Sequence, residues 1–160
     1  PAKALHDAFG MTAMVATSYQ AAGGAGQKGI DELAFQVPVL HDDIDMLVND
    51  GAQAARRVES SIHENTLAYN VVPLLGTLGE NGYTDEEMKL QNESRKILGL
   101  PGLSMSPTCV RVPVMVGHSV AVRATFEVAT TWYHSDEYAL ARALRTDACD
   151  ARVFVVDGVA

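Results

Sequence analysis

Arg111 and His118 are the residues whose types and positions in the sequence most directly suggest chemistry. Valines alternate with other residues from Val110 to Val116, which is typical of a strand with one face in a core, so Arg111 is predicted to point away from that core. A glycine breaks the pattern, and His118 then lies at a strand end before a second alternating run that begins at Val120. Rigid frames hold catalytic groups at such ends, so this cation and imidazole are candidates for a site. Two ordinary surface residues would show the same pattern.

A predicted helix from Thr84 to Leu98 carries further charged candidates. Thr84 and Glu87 have the spacing of a capping box, and a glycine follows the helix. Four charged residues recur every three or four positions and so share one face: Glu86, Lys89, Glu93 and Lys96. Taken alone, this face is explained by ion pairs along a solvated helix.

The glycine-rich stretch near the start of the chain invites a nucleotide-binding interpretation. A short strand is predicted at Met11–Thr17, and an amphipathic helix at Ile30–Val37 ends at Pro38. Between them, residues 24–29 read GxGxxG, a spacing that can cradle a pyrophosphate at a helix N-terminus. No clear strand bearing an acidic residue follows, so we assign no cofactor-binding residue in this chain.

Four blocks of sequence together resemble the aspartate-β-semialdehyde dehydrogenase family. They are TSYQAAGGAG at 17–26, NVVPLLG at 70–76, ESRKILGLP at 93–101 and TCVRVPVMVGHS at 108–119. The blocks occur in the family's order, and the resemblance extends roughly from residue 5 to residue 127. It implies an α+β fold with a mixed, largely antiparallel sheet and helices on one face, as in the catalytic and dimerisation domain of semialdehyde and glyceraldehyde-phosphate dehydrogenases.

The resemblance also implies a reaction and a role for each candidate residue. The family reversibly reduces β-aspartyl phosphate to aspartate β-semialdehyde and phosphate with NADPH, a step in lysine, threonine, methionine and isoleucine biosynthesis. By this match Arg111 would bind the substrate α-carboxylate with both arms of its guanidinium, and His118 would transfer the proton. Gln20 would orient the acyl intermediate. Glu86 would meet the substrate ammonium and Lys89 its phosphate.

Two parts of the family's machinery are not found in this sequence. The catalytic cysteine of the family lies in an Asn-Cys-Thr/Ser motif that would fall before Pro1, and the NADP fingerprint belongs to the N-terminal half of the full enzyme. Because the chain begins with proline, we expect an excised piece. We predict one domain over residues 1–160 that supplies substrate binding and dimerisation, forms a homodimer, and is inactive alone.

Two alternatives of other classes stay open at this point. The chain could be a non-enzymatic dimerisation module that has lost its chemistry. It could also be a hydrolase in which Cys109 and His118 form a nucleophile–base pair, which would require an accessible thiol of depressed pKa.

Composition excludes several other functions. The 160 residues carry a net charge of −8 without a basic cluster, so no nucleic-acid partner is expected. No apolar run approaches the roughly 18 residues of a membrane span, and we expect a cytoplasmic protein. The aspartates at 42–50 lack calcium-loop spacing, so no metal is expected. Cys109 and Cys149 are interpreted as free thiols.

The remaining predictions concern elements at the two ends and the middle of the chain. A helix at Ala2–Phe9 is stopped by Gly10, and Ala52–His63 is a candidate helix. Ser135 caps a helix that runs through Leu144 with Leu140 and Ala143 facing inward. A last strand is predicted at Arg152–Val156.

Overall fold

The computed structural model describes residues 2–125 and 134–143. Two compact units are present: one comprises Pro1–Thr12 with Ala124–Ala160, and the other comprises Ala13–Arg123. The first unit contains helices α1 (Ala2–Phe9) and α6 (Asp136–Ala143). The second contains β1 (Ala13–Gln20), a 3₁₀ turn (Ala22–Ala25), α2 (Gln27–His41), α3 (Ile44–Asn49), α4 (Gly51–Ala55), α5 (Asp85–Leu98) and β2 (Ser104–Arg111), with β3 (His118–Ala124) at its end.

The sheet of the second unit has the strand order β2-β1-β3. β1 and β2 are parallel and in register from Ala13 opposite Ser104 to Gln20 opposite Arg111. Along β1 every second residue is buried, as the strand period requires for a sheet covered on one face. Pro107 lies in β2, where the outer edge of the sheet tolerates a residue without an N–H.

Helix α2 contributes buried residues to the core, and it is longer than predicted. Its buried face contains Leu33, Gln36 and Leu40, all with no exposed surface. The expectation that the helix ends at Pro38 is wrong, because α2 continues through it to His41. A proline inside a helix removes one backbone hydrogen bond. Burial of Leu40 two residues later offsets that loss, and periodicity alone could not reveal it.

Helix α5 is the element that the sequence predicts best. Thr84 is its N-cap, both bonds of the capping box with Glu87 are formed, and Gly99 ends the helix with φ 72° in the left-handed region. Helix α1 also matches its prediction and is followed by Gly10 at φ 66°. Both ends of α5 can be predicted from the local sequence, because each cap involves residues within four positions of one another.

The predicted strand over Val110–Val116, with its valines inside and Arg111 outside, is wrong. β2 ends at Arg111, which is only 9% exposed, whereas Val114 is 48% exposed. Pro113 has no N–H to continue a ladder. The chain instead passes beside the residues that follow β1, where the Ala22 N–H donates to the Val114 carbonyl at 2.8 Å.

Three smaller predictions also fail. Ala52–His63 is helical only as far as Ala55. Leu140 is 68% exposed and Ala143 is exposed, whereas Tyr138 is buried. The predicted second alternating run does form β3, but its residues 118–123 are all exposed. Leu144, Cys149 and the strand predicted at Arg152–Val156 lie outside the described residues.

Within residues 2–125 and 134–143, no helix has the length and apolar character needed to cross a bilayer. In the same residues no group of histidine, cysteine, aspartate and glutamate side chains is arranged to hold a metal ion.

Glu32 on α2 holds the loop that leads toward the second half of the chain. Its carboxylate accepts hydrogen bonds from the backbone N–H groups of Ser61 at 2.6 Å, Ile62 at 2.9 Å and His63 at 3.1 Å, and from the Ser61 hydroxyl. Burial by itself raises the pKa of Glu32, but these hydrogen bonds outweigh it and the pKa lies below its ordinary value.

We therefore expect Glu32→Gln to destabilise the fold in a pH-dependent way. A carboxyl group with a lowered pKa stabilises the folded state above its unfolded-state pKa, and that contribution disappears as the pH falls through the folded-state pKa. The difference in unfolding free energy should be about 1 kcal/mol at neutral pH, allowing for solvent screening, and should shrink in the acidic range below pH ~4. Urea denaturation at several pH values measures it, and a difference that stays constant with pH would contradict the role of the charge.

Candidate functional site

The candidate site begins where two parallel strands end together. Gln20 and Arg111 are the last residues of β1 and β2 and are paired in register, so their side chains occupy neighbouring positions. Both residues are buried, each 9% exposed. Ligands of sheets with parallel strands commonly bind beyond the carboxyl ends of the strands, and this end carries both predicted residues.

Arg111 is held in place by its backbone and leaves part of its guanidinium unpaired. Its N–H and carbonyl exchange hydrogen bonds with Val72 at 2.8 and 3.0 Å, and its Nη1 donates to the Ala21 carbonyl at 2.9 Å. Its Nε is buried without a hydrogen-bond partner. No carboxylate of the described residues forms an ion pair with it. A buried cation in this state is costly unless an anion binds there, so the geometry fits an anionic ligand.

His118 lies beside the same turn of the chain. The Ala21 N–H donates to His118 Nδ1 at 3.3 Å. A ring nitrogen that accepts a hydrogen bond carries no proton, so neutral His118 holds its proton on Nε2. A Cβ built on Gly24 would lie 3.4 Å from that Nε2 and 2.8 Å from Nη1 of Arg111. Gly24 therefore borders both side chains and leaves the space beside them free.

Gln20, Glu86 and Lys89 form the other side of the site. Gln20 Nε2 donates to Ser18 Oγ at 3.1 Å and lies 3.5 Å from Glu86 Oε1. Lys89 Nζ lies 3.5 Å from Glu86 Oε2. These long contacts leave both charged groups able to exchange partners when a ligand binds. The predicted residues thus form two linked groups. Arg111 and His118 both bond Ala21, and Gln20 is followed through its side chain by Glu86 and then Lys89. The two groups meet where Gln20 pairs with Arg111.

Cys109 lies behind the site rather than in it. The side chain is 1% exposed. Burial raises the pKa of the Cys109 thiol, and the carboxylates of Glu87 and Glu86 raise it further, against the opposing effect of hydrogen bonds with Ser18 and Gln20. A nucleophilic cysteine needs the reverse, so the alternative of a Cys109–His118 hydrolase is not supported.

The sequence did not indicate Gly24 or Glu87 as parts of this region. In the sequence, Gly24 stands out only as part of the GxGxxG motif, and Glu87 only as a capping residue. Gly24 is needed for the space beside Arg111, while a Cβ on Gly29 would lie 2.5 Å from the Ala22 carbonyl. Gly24 thus borders the candidate site, Gly26 adopts a positive φ of 77°, and Gly29 allows close packing against the backbone.

Comparisons with known proteins give a consistent result. A family model described as semialdehyde dehydrogenase, dimerisation domain, matches residues 2–158. The aspartate-semialdehyde dehydrogenase of Corynebacterium melassecola is 47% identical over 137 residues, which are 84% of this chain and 40% of that protein. That of Corynebacterium glutamicum is 48% identical over 131 residues, which are 81% of this chain and 38% of that protein. The chain spans about 40% of the length of these relatives.

Solved structures with the same fold include two aspartate semialdehyde dehydrogenases. The enzyme II of Vibrio cholerae complexed with ASA has a TM-score of 0.69 at 34% identity, covering 89% of this chain and 38% of that one. The enzyme of Francisella tularensis has a TM-score of 0.65 at 28% identity, covering 79% of this chain and 37% of that one. These likenesses confirm the predicted α+β fold class.

Proposed function

Because the chain belongs to the family of semialdehyde dehydrogenase dimerisation domains, we propose that it is the substrate-binding part of an NADP-dependent aspartate-semialdehyde dehydrogenase of cytoplasmic amino-acid biosynthesis. The family resemblance read from the four sequence blocks is confirmed by this match and by the curated relatives. The observation that carries the proposal is the buried Arg111, with an unpaired Nε, next to His118. That arrangement is suited to hold a carboxylate beside a proton donor.

Each residue of the site has a task in the proposed reaction. Arg111 binds the α-carboxylate of the substrate through Nε and a terminal nitrogen, and Glu86 binds its ammonium. Lys89 is freed from Glu86 to meet the phosphate. His118 donates a hydrogen bond from its Nε2–H to an oxygen at the reacting carbon, and it transfers that proton only from the doubly protonated imidazolium, which returns to the neutral ring. Gln20 orients that carbon through its side-chain amide.

The described residues do not form a site for NADP. Gly24 borders Arg111 and His118, Gly29 packs against the Ala22 carbonyl, and a pyrophosphate would need the space at both glycines. We therefore propose that the cofactor binds a part of the enzyme outside this chain. The same holds for the nucleophilic thiolate, because Cys109 is buried and its pKa is raised.

A chimaeric enzyme tests the proposal. In it, this chain replaces the matching segment of the Corynebacterium glutamicum relative, which supplies the rest of that enzyme. We expect phosphate-dependent reduction of NADP⁺ by aspartate β-semialdehyde, and we expect the 160-residue chain alone to neither bind NADPH nor catalyse the reaction. A folded chimaera without activity would contradict the proposal and favour a dimerisation module that has lost catalysis.

Gly24→Ala in the chimaera should abolish most activity without unfolding the protein. The added methyl group would lie 2.8 Å from Arg111 Nη1 and 3.4 Å from His118 Nε2, in the space that the substrate must enter. Gly24 has no positive φ, so alanine imposes no backbone strain. We expect kcat/KM to fall about 100-fold while Tm changes by only a few degrees.

Gly51→Ala is the matched control, because an added Cβ there meets no atom within 4 Å. It should leave kcat/KM unchanged. If Gly24→Ala behaved like this control, substrate would not occupy the space between Arg111 and His118.

A homodimer is the assembly we propose for the chain. β1 exposes Val15 and Tyr19 by 49% and 41%, and β3 exposes Val120 and Val122 by 58% and 52%. Several exposed apolar side chains on the neighbouring strands β1 and β3 suit a symmetric interface that buries more than roughly 1,200 Å². Sedimentation equilibrium at micromolar concentration should give a dimer, and a monomer would contradict the proposal.

A further inference from the structure

Helix α5 is attached to the outer edge of β2 by polar side chains. Arg95 donates from Nε and Nη2 to the Leu103 carbonyl at 3.1 and 3.0 Å. One turn earlier, Gln91 Nε2 donates to the Met105 carbonyl at 3.3 Å. β2 is the edge strand of the described sheet, so these bonds pair backbone groups that no further strand covers. The helix is therefore fixed along the strand by side chains spaced one turn apart.

Glu87 makes the bond of this series that lies nearest the candidate site. Its Oε1 accepts from the Cys109 N–H at 3.1 Å, and its Oε2 accepts from the Thr84 N–H at 2.8 Å. A capping box needs only one acceptor oxygen, which glutamine would also provide. Glu87 uses both oxygens, one for its own helix and one for β2, and the residue is only 8% exposed.

The neighbours of this carboxylate are the proposed binding residues. Glu86 precedes it in α5, and Cys109 precedes Arg111 by two positions in β2. A shift of α5 along β2 would therefore change the distance of Glu86 from Gln20, which is 3.5 Å between Oε1 and Nε2. It would move Lys89 in the same direction.

We propose that Glu87 is a positioning residue, whose two-oxygen bridge between α5 and β2 sets Glu86 and Lys89 at the distance from Arg111 that the substrate requires. The effect on substrate binding rests on the proposed function, whereas the hydrogen bonds that Glu87 makes to α5 and β2 do not. Binding groups must be held close to the productive arrangement, and small displacements of a binding side chain lower affinity strongly. Glu87 itself touches no substrate in this account.

Crystal structures of the 160-residue chain and of its Glu87→Ala variant test the geometry independently of any activity. We expect the variant to lose the link to Cys109 and to show Glu86 Oε1 well beyond 3.5 Å from Gln20 Nε2. A variant structure in which Glu86 and Lys89 keep their positions would overturn the inference, whatever the chain catalyses.

Kinetics of the chimaeric enzyme test the consequence. Glu86 and Lys89 would bind the substrate and phosphate in the ground state as well as in the transition state. Glu87→Ala should therefore raise the KM for aspartate β-semialdehyde and the KM for phosphate about tenfold, and should change kcat by less than about threefold. Glu87→Gln keeps one acceptor oxygen and should show a smaller rise. If Glu87→Ala does not fold, the KM values of Glu87→Gln provide the test.

Gln91→Ala is the matched control, because Gln91 belongs to the same series of bonds but lies one turn farther from the site. It should lower Tm by less than Glu87→Ala, because it removes one bond of 3.3 Å to β2 and no helix cap, and it should leave both KM values unchanged. Equal KM values in all three variants would overturn the inference. Loss of activity in the unmodified chimaera would count against the proposed function instead, and the crystal structures would still decide the role of Glu87.

Discussion

Replacing Arg111 with lysine in the chimaeric enzyme is expected to remove about 2–5 kcal/mol of transition-state stabilisation, measured as kcat/KM for aspartate β-semialdehyde. Arg111 is buried and already uses Nη1 to bond the Ala21 carbonyl at 2.9 Å, while its Nε has no partner. The lysine side chain has a single nitrogen, which cannot donate to the Ala21 carbonyl while it also binds both oxygens of a carboxylate. Most of the loss should appear in KM, because the carboxylate is bound throughout the reaction.

Arg123→Lys is a matched control, since Arg123 lies on β3 and is exposed. Its kcat/KM should stay within twofold of the unmodified chimaera, about 0.4 kcal/mol. If Arg111→Lys were as mild as this control, Arg111 would have no place in the binding site.

Gln36→Leu is expected to destabilise the chain by about 3–5 kcal/mol, because it removes a buried set of hydrogen bonds without replacing any partner. Gln36 is fully buried on α2. Its Nε2 donates to the Glu59 carbonyl at 3.0 Å and to Ser60 Oγ at 3.2 Å. Its Oε1 accepts from the N–H groups of Leu67 at 3.0 Å and Ala68 at 3.1 Å. Leucine fills a similar volume but leaves these groups buried and unpaired.

Gln27→Leu provides the comparison on the same helix, because Gln27 is exposed and bonds only Asp31 in the described part of the chain. Urea denaturation should show a change within about 0.5 kcal/mol for Gln27→Leu. A loss below about 1 kcal/mol for Gln36→Leu would mean that the loop around residues 59–68 finds other partners. That loop precedes Val72, which pairs with Arg111, so the variant should also disturb the site.

Features that depend on neighbours in sequence could be predicted from the sequence. The capping box of Thr84 and Glu87, the left-handed Gly99 and the helix Ala2–Phe9 all involve residues within one or two turns of each other. Glu86 and Lys89 share a face for the same reason. The family resemblance added the roles, which spacing alone did not indicate.

Features that depend on tertiary pairing could not be predicted in this way. Arg111 is buried because it pairs with Gln20 in a parallel register and with Val72 on its other side, and no local pattern encodes either contact. Gln36 interrupts an apolar helical face, so periodicity gave no reason to place it in the core. Pro38 predicts a helix end because the sequence does not reveal that residues after it are buried.

A crystal structure of the chimaeric enzyme with aspartate β-semialdehyde bound tests most directly whether Arg111, His118 and Glu86 form the substrate site. We expect the substrate carboxylate within hydrogen-bonding distance, about 3 Å, of Arg111 Nε and of one terminal nitrogen. We also expect the substrate ammonium beside Glu86 and His118 Nε2 facing the aldehyde oxygen. A substrate bound with its carboxylate away from Arg111, or on another face of the sheet, would show that these residues do not form the substrate site.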